Sequence, residues 1–463
     1  MKDLSVLQLF PYALFLITTI ILCTSPPASS AAGLISMRAD LTHVDSGRGF
    51  TNRELLDRMF ARSRARASLH QQRGRGGGSG GHRAATIPAA PAVSEYNVHF
   101  AIGTPRPQRV ALTLDTGSDL VWTQCTGCQV CFDQAPATTP FDTSASATIR
   151  DVPCSDPICG ESNVAACYIP SGMCFYLDSY GDNATTAGSI LRDTFVFRAP
   201  DGKPGGAVVV PGLAFGCGYY NTGKYGNNES GIAGFGRGRQ SLPSQLNVRR
   251  FSYCLTPYGK KTISPVFLGT PDDLRAHATG PIRSTPFVHN AGALAIPSYY
   301  YLPFTGITVG ETRLPVDESV FALRRDGSGG TIIDSGTSIT TFPQAVYDEL
   351  RRAFLEQVRL PVYRNASDVG DDTLCFSLPR QGAPAPAPPK LVFHLAGADM
   401  DLPPENYMMV DRGTGPTGVM CLAVAGAEGD MTLIGNYQQQ NMHIVYDLES
   451  NRLFFVPAEC DKM

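Results

Sequence analysis

From about residue 93 the chain alternates apolar positions with polar or small ones in short runs. Tyr96, Val98, Phe100 and Ile102 mark one such run, Gly103-Thr104-Pro105 breaks it, and Val110, Leu112 and Leu114 resume the alternation up to Asp115. A period of two is the mark of a half-buried strand. Similar short strands are expected at Leu391–Leu395, Thr432–Gly435 and His443–Asp447. One clear helical stripe stands out, over Pro343–Val358. There Val346, Leu350, Phe354 and Val358 share a face, and Pro343 suits the first turn. Asn52–His70 has helical composition, with Leu55, Leu56, Met59 and Phe60 set among arginines, and Ala383–Pro389 reads as an exposed loop. The expected fold class is therefore all-β. Among 463 residues, 47 Gly and 35 Pro favour turns over long helices, and 43% hydrophobic residues are enough for a large core.

The head of the chain follows different rules. Residues 1–32 read as a signal peptide: Lys2, a mostly apolar Leu4–Leu22 interrupted by Ser5, Gln8 and Pro11, then small residues at Ala28-Ser29-Ser30-Ala31-Ala32. The uninterrupted apolar core is short for a membrane span. Residues 33–92 form a separate segment, with an Arg/Gly/Ser run over Arg73–Arg83 that cannot pack a core. Ten arginines against four acidic residues give 33–85 a charge of +6. Lys2 and Asp3 cancel and the whole chain carries −3, so 86–463 carries −9. A basic head preceding an acidic body is read as a propeptide. Nucleic-acid binding by an Arg/Gly tract is at odds with export.

Cysteine usage agrees with export. Cys23 lies in the signal, and the other twelve make an even number: Cys125, Cys128, Cys131, Cys154, Cys159, Cys167, Cys174, Cys217, Cys254, Cys375, Cys421 and Cys460. Cys125-x2-Cys128-x2-Cys131 lacks a His or a fourth Cys at metal-ligand spacing, so a disulfide framework is the better reading; the pairing stays open.

The chemistry lies in a repeat. Leu114-Asp115-Thr116-Gly117-Ser118 and Ile333-Asp334-Ser335-Gly336-Thr337 are 219 residues apart and nearly alike. A carboxylate at the end of a buried strand needs donors, and the hydroxyl residues can supply them. Each Asp is followed, 119 and 101 residues on, by the Gly of a hydrophobic-hydrophobic-Gly segment, Ile232-Ala233-Gly234 and Leu433-Ile434-Gly435. Two such halves predict duplicated β lobes that bring two carboxylates together.

Asp115-Thr-Gly-Ser-Asp-Leu-Val-Trp122, Asp334-Ser-Gly-Thr-Ser338 and the two hydrophobic-hydrophobic-Gly segments resemble the pepsin-type aspartic proteases. Tyr180-Gly181-Asp182, followed by Gly188–Thr194, resembles the tyrosine-bearing flap hairpin. The cysteine-rich insert Thr126–Cys174 before the flap, Ser335 and Gly435–Asp447 resemble the plant nepenthesin-like branch, over about 93–463. The flap departs from the branch, with Asp182-Asn183-Ala184 where Asp-Gly-Ser is usual.

The resemblance implies a bilobal pepsin-like fold, with lobes at 93–285 and 286–463 and a cleft between them. It implies Asp115 and Asp334 as a dyad that activates a water to hydrolyse peptide bonds at acidic pH. Thr116 and Ser335 would brace the loops, Gly117 and Gly336 would turn them, and Ser118 and Thr337 would donate to the outer carboxylate oxygens. Tyr180, Trp122 and Ser338 would contact substrate. It implies a protein or peptide substrate, no metal or other cofactor, no nucleic-acid or membrane partner after signal cleavage, a monomer, and a location outside the cell or in the vacuole.

Sequons stand at Asn183, Asn228 and Asn365, the first in the flap. The eight histidines include none at metal-ligand spacing, and Gly234-Phe-Gly-Arg-Gly238 lacks the Lys of a phosphate loop. The serious rival is an inactive family member that inhibits microbial cell-wall hydrolases. Both Asp motifs being intact argues against it. A structural wall protein would need Pro or Gly repeats, which the mature region lacks.

Overall fold

Duplicated strand pairs place the two Asp loops. The computed structural model describes residues 36–75, 96–134, 138–160, 164–179, 184–201, 205–223, 228–257, 260, 262–269, 273–288, 296–363, 373–380, 386–412 and 417–463. Tyr180, Asn183, Asn365 and the signal segment lie outside them, as does the Arg/Gly/Ser run after Arg75. Residues 35–463 form one unit.

Two strands, β1 (Met37–His43) and β2 (Tyr96–Ile102), lead into β3 (Gln108–Asp115), which ends on the first Asp, and β4 (Val121–Gln124) follows. The alternation read from Tyr96 to Asp115 is β2 and β3, paired antiparallel with Val98 opposite Leu112. β3 then pairs in parallel with Gly231–Gly234, Asp115 opposite Gly234, and β4 pairs antiparallel with that same strand. The second half repeats the plan. Thr331–Ile333 pairs in parallel with Thr432–Ile434, and Thr340–Pro343 meets that strand from its other side. Gly234 and Gly435 hold equivalent places, and both must be glycine. A Cβ on Gly234 would lie 2.2 Å from the Asp119 backbone, and one on Gly435 would lie 2.5 Å from that of Ile339. The mostly β architecture is bilobal and pepsin-like; the alternation led us to expect the strands, and the resemblance the two lobes.

Within the segment 33–92, the described residues 36–75 pack against the body. β1 is an interior strand of the largest sheet, paired antiparallel with β2 on one side and Ser264–Leu268 on the other. Its own sequence explains this, since Met37, Ala39 and Leu41 alternate as fully buried residues. A helix, α1 (Asn52–Arg75), follows. It starts in a capping box: the Glu54 carboxylate accepts from the Thr51 N–H at 2.8 Å, and the Glu54 N–H donates to the Thr51 hydroxyl at 3.2 Å. Leu56, Met59 and Phe60 then pack against Ile339, Met409, Val419 and Tyr437 of the C-terminal half. Each such burial stabilises by about 1.5–3 kcal/mol. The helix expected over Pro343–Val358 runs Gln344–Gln357, with Val346, Leu350 and Phe354 buried.

All twelve cysteines after Cys23 are paired, as Cys125–Cys217, Cys128–Cys131, Cys154–Cys167, Cys159–Cys174, Cys254–Cys460 and Cys375–Cys421. The crowded eight thus do more than staple their own insert, because Cys125 ties β4 to the long strand Ala207–Thr222 that holds Cys217.

Candidate active site

Each aspartate carries its own donors. The Ser118 hydroxyl donates to Asp115 Oδ2 at 2.5 Å, and the Gly117 N–H donates to Oδ1 at 3.0 Å. The Thr337 hydroxyl donates to Asp334 Oδ2 at 2.7 Å, and the Gly336 N–H donates to Oδ1 at 2.8 Å. Thr116 and Ser335 cross between the loops. The Thr116 N–H donates to Ser335 Oγ at 3.0 Å, and the Ser335 N–H donates to Thr116 Oγ1 at 2.9 Å. The Ser335 hydroxyl continues to the Leu114 carbonyl at 3.0 Å. The two loops are therefore locked face to face, and all six side chains and glycines singled out around the aspartates meet here.

Between the carboxylates lies Arg66 of α1. Its Nη2 donates to Asp115 Oδ1 at 2.5 Å and to Asp334 Oδ1 at 3.4 Å, and its Nε donates to Asp334 Oδ2 at 3.0 Å. The two carboxylates thus converge on a single nitrogen. One turn on, the His70 imidazole spans Asp334 and Tyr299, with Nε2 3.2 Å from Asp334 Oδ2 and Nδ1 2.6 Å from the Tyr299 hydroxyl. One turn back, Arg62 Nε donates to Ser338 Oγ at 3.4 Å and its Nη2 to Asp45 at 3.1 Å. Arg58, Arg62, Arg66 and His70 thus form a ladder spaced by four along α1. That spacing is visible in the sequence, but a run of cations ordinarily reads as a solvated face.

The charges fit the geometry. Burial alone would raise the Asp334 pKa, but Arg66 and His70, with the Thr337 hydroxyl, hold it well below the usual carboxylate range. Burial alone would lower the Arg66 pKa, yet Asp115 and Asp334 more than offset this and raise it.

Other singled-out residues divide. Trp122 is fully buried in β4, edge-on to Phe132. Ser338 is buried beneath Arg62. Asn228 is exposed. The composition also gave no hint of Asp119. Its carboxylate accepts from the Gly238 N–H at 2.8 Å and from the Ser298 hydroxyl, joining the first Asp loop to the other half of the chain. Among the described residues no cluster of His, Cys, Asp or Glu could hold a metal ion.

The chain matches the family model described as xylanase inhibitor N-terminal over residues 96–270 and the one described as xylanase inhibitor C-terminal over 299–457. It is 38% identical over 421 residues to aspartic proteinase nepenthesin-1 of Nepenthes gracilis, spanning 91% of this chain and 89% of that one. It is 36% identical over 431 residues to nepenthesin-2 of the same plant, spanning 92% and 90%. Aspartyl protease 37 of Oryza sativa subsp. japonica is 34% identical over 475 residues, spanning 94% and 96%. Among solved structures, edgp superposes with a TM-score of 0.64 at 18% identity, covering 92% of this chain and 97% of that one; this likeness concerns the fold. On these relatives and this pair of loops, the chain belongs to the nepenthesin-like family of aspartic-type endopeptidases.

Proposed function

We propose that the chain is a secreted endopeptidase that cuts proteins at acidic pH through Asp115 and Asp334. The observation that carries this reading is the single Arg66 nitrogen shared by Asp115 Oδ1 and Asp334 Oδ1 at 2.5 and 3.4 Å. Once the guanidinium is gone, two carboxylates that close cannot both ionise, so they hold one proton between them over an acidic range. The ionised member takes a proton from a water placed between them, and that water attacks the peptide carbonyl. The protonated member donates to the carbonyl oxygen and then assists the leaving amine. Ser118 and Thr337 keep each carboxylate oriented through the cycle. The protein substrate follows the names of the relatives, and Tyr180 is the expected flap residue over it.

Residues 33–92 are the propeptide in this reading, after a signal over 1–32, and Arg66 and His70 stand where substrate and water must enter. The form with α1 seated is the inactive one. Acid frees it by protonating the carboxylates that grip the arginines. The sign follows from Asp334: its pKa is lowered in the closed form, so the closed form is favoured above the ordinary carboxylate range and weakens as pH falls below it. The mature chain acts as a monomer outside the cell or in the vacuole, with glycans at Asn228 and Asn365, and at Asn183 where the flap tolerates one.

One observation favours the second reading, a hydrolase inhibitor: the descriptions of the two matching family models. An inhibitor has no need of a dyad in which both aspartates keep both donors, so the protease reading is preferred. Brief acid treatment, followed by a peptide library at roughly pH 3–5 and mass mapping of the cuts, tests it. Cuts that Asp115→Asn abolishes are expected. An uncut library together with loss of xylanase activity in a mixed assay would favour the inhibitor.

A further inference from the structure

Beside the first Asp loop lies an open cavity of about 470 Å³. Ser118, which donates to Asp115, is one of its lining residues, so the cavity borders the first Asp loop. Its aliphatic wall is Leu120, Ile158, Val164 and Leu177, with Ile296 contributed by the other half of the chain. Ile158 and Val164 belong to the cysteine-rich insert, not to the duplicated strands. The insert is tightly held in place. Cys154–Cys167 and Cys159–Cys174 close overlapping loops around Val164, and Cys174 sits three residues before Leu177 in the strand Met173–Ser179. The Leu177 N–H donates to the Val164 carbonyl at 2.9 Å, and the Gln240 amide donates to the Ile158 carbonyl at 3.1 Å. On the polar side, the Asp119 carboxylate already accepts from Gly238 and Ser298. Leu177 is 60% exposed, so its side chain is open to a molecule that enters the cavity.

We propose that the disulfide-braced insert is a specificity element: Ile158, Val164 and Leu177 seat an aliphatic side chain of the substrate next to the scissile bond. This rests on the endopeptidase reading above. It also alters what the insert's disulfides are for. On this proposal Cys154–Cys167 and Cys159–Cys174, besides stabilising the insert, hold the wall that selects substrate.

The test uses the acid-activated full chain and a set of peptides in which one Leu is moved through the positions flanking a mapped cut, each compared with its Ala counterpart. Val164→Asp is expected to lower kcat/KM about tenfold or more for peptides with Leu at one position. The loss should come through KM, with the Ala counterparts changed less than about twofold. Val164→Ala, which keeps the fold safe, should give a smaller loss at the same position. Ile169→Ser changes the same insert at a residue 85% exposed and outside the wall, and should leave the preference intact. Equal losses on every peptide, or no change in the Leu-to-Ala ratio, would overturn the specificity role while the endopeptidase stands. Wild-type protein that cuts none of the peptides would overturn both.

Discussion

The Asp115 loop and the Asp334 loop are near copies in what they make for themselves and unlike in what α1 brings to them. Each has a hydroxyl on Oδ2, a glycine N–H on Oδ1 and a cross-bond to the other loop. From α1, Asp115 receives one hydrogen bond, from Arg66 Nη2, whereas Asp334 receives Arg66 Nε, Arg66 Nη2 and His70. The apolar face of α1 leans the same way, onto Ile339, Met409 and Val419 near the second loop. On the proposed reading, the symmetric part is the machinery for chemistry, and the asymmetric part is the grip that keeps it shut. A grip weighted to one side should fail unequally when its parts are removed.

The largest effect tests the symmetry. Asp115→Asn and Asp334→Asn should each reduce kcat by roughly 10⁴-fold or more, and the double variant should be little worse than either. Turnover assays on a denatured protein substrate would show it. A tenfold gap between the two single variants, or additive losses, would mean that the loops are not one unit.

The next tests the asymmetry. Arg66→Met leaves two buried carboxylates without their cation, which costs about 3–5 kcal/mol, or a factor of roughly 10²–10⁴ in the closed form. Activity should then appear without an acid step, and the pH of half-release should move upward. His70→Ala removes one contact of several and should shift it far less. Equal shifts for the two variants would contradict the weighting seen here.

A smaller effect concerns the frame that carries both loops. His443, in the strand Met442–Asp447, is buried against Ser252 at 3.0 Å, and burial with His277 nearby pushes its pKa down to about 4. A His whose pKa is lowered on folding leaves stability intact above its unfolded pKa of about 6.5. It removes up to about 3 kcal/mol as pH falls toward 4, because the unfolded chain takes up the proton first. His443→Gln should therefore lose less melting temperature than the parent between pH 7 and pH 4. Parallel losses would show that other groups set acid stability.

Much of this was legible in the sequence, for local reasons. Asp115 and Asp334 carry their donors within three residues, so each motif could be read alone and the pair gained weight by repetition. Gly234 and Gly435 were legible for the same reason. The grip was not, because Arg66 reaches residues 49 and 268 positions away. Nothing local separates its ladder from an exposed basic face. β1 did alternate, at Met37, Ala39 and Leu41, but the strand is short and lies in a segment dominated by charge. Cys254 and Cys460 lie 206 residues apart, with no local trace of their pairing.

The most direct measurement of the central claim follows proteolysis and the N-terminus together. Full-length protein is held at neutral pH, then stepped to about pH 3–5, with Asp115→Asn alongside. The account predicts no cleavage of a protein substrate before the step. Afterwards cleavage should appear as residues 33–92 are released, and neither cleavage nor self-processing should appear in the variant. Full activity at neutral pH with α1 still seated on Asp115 and Asp334 would contradict it, as would undiminished activity in Asp115→Asn.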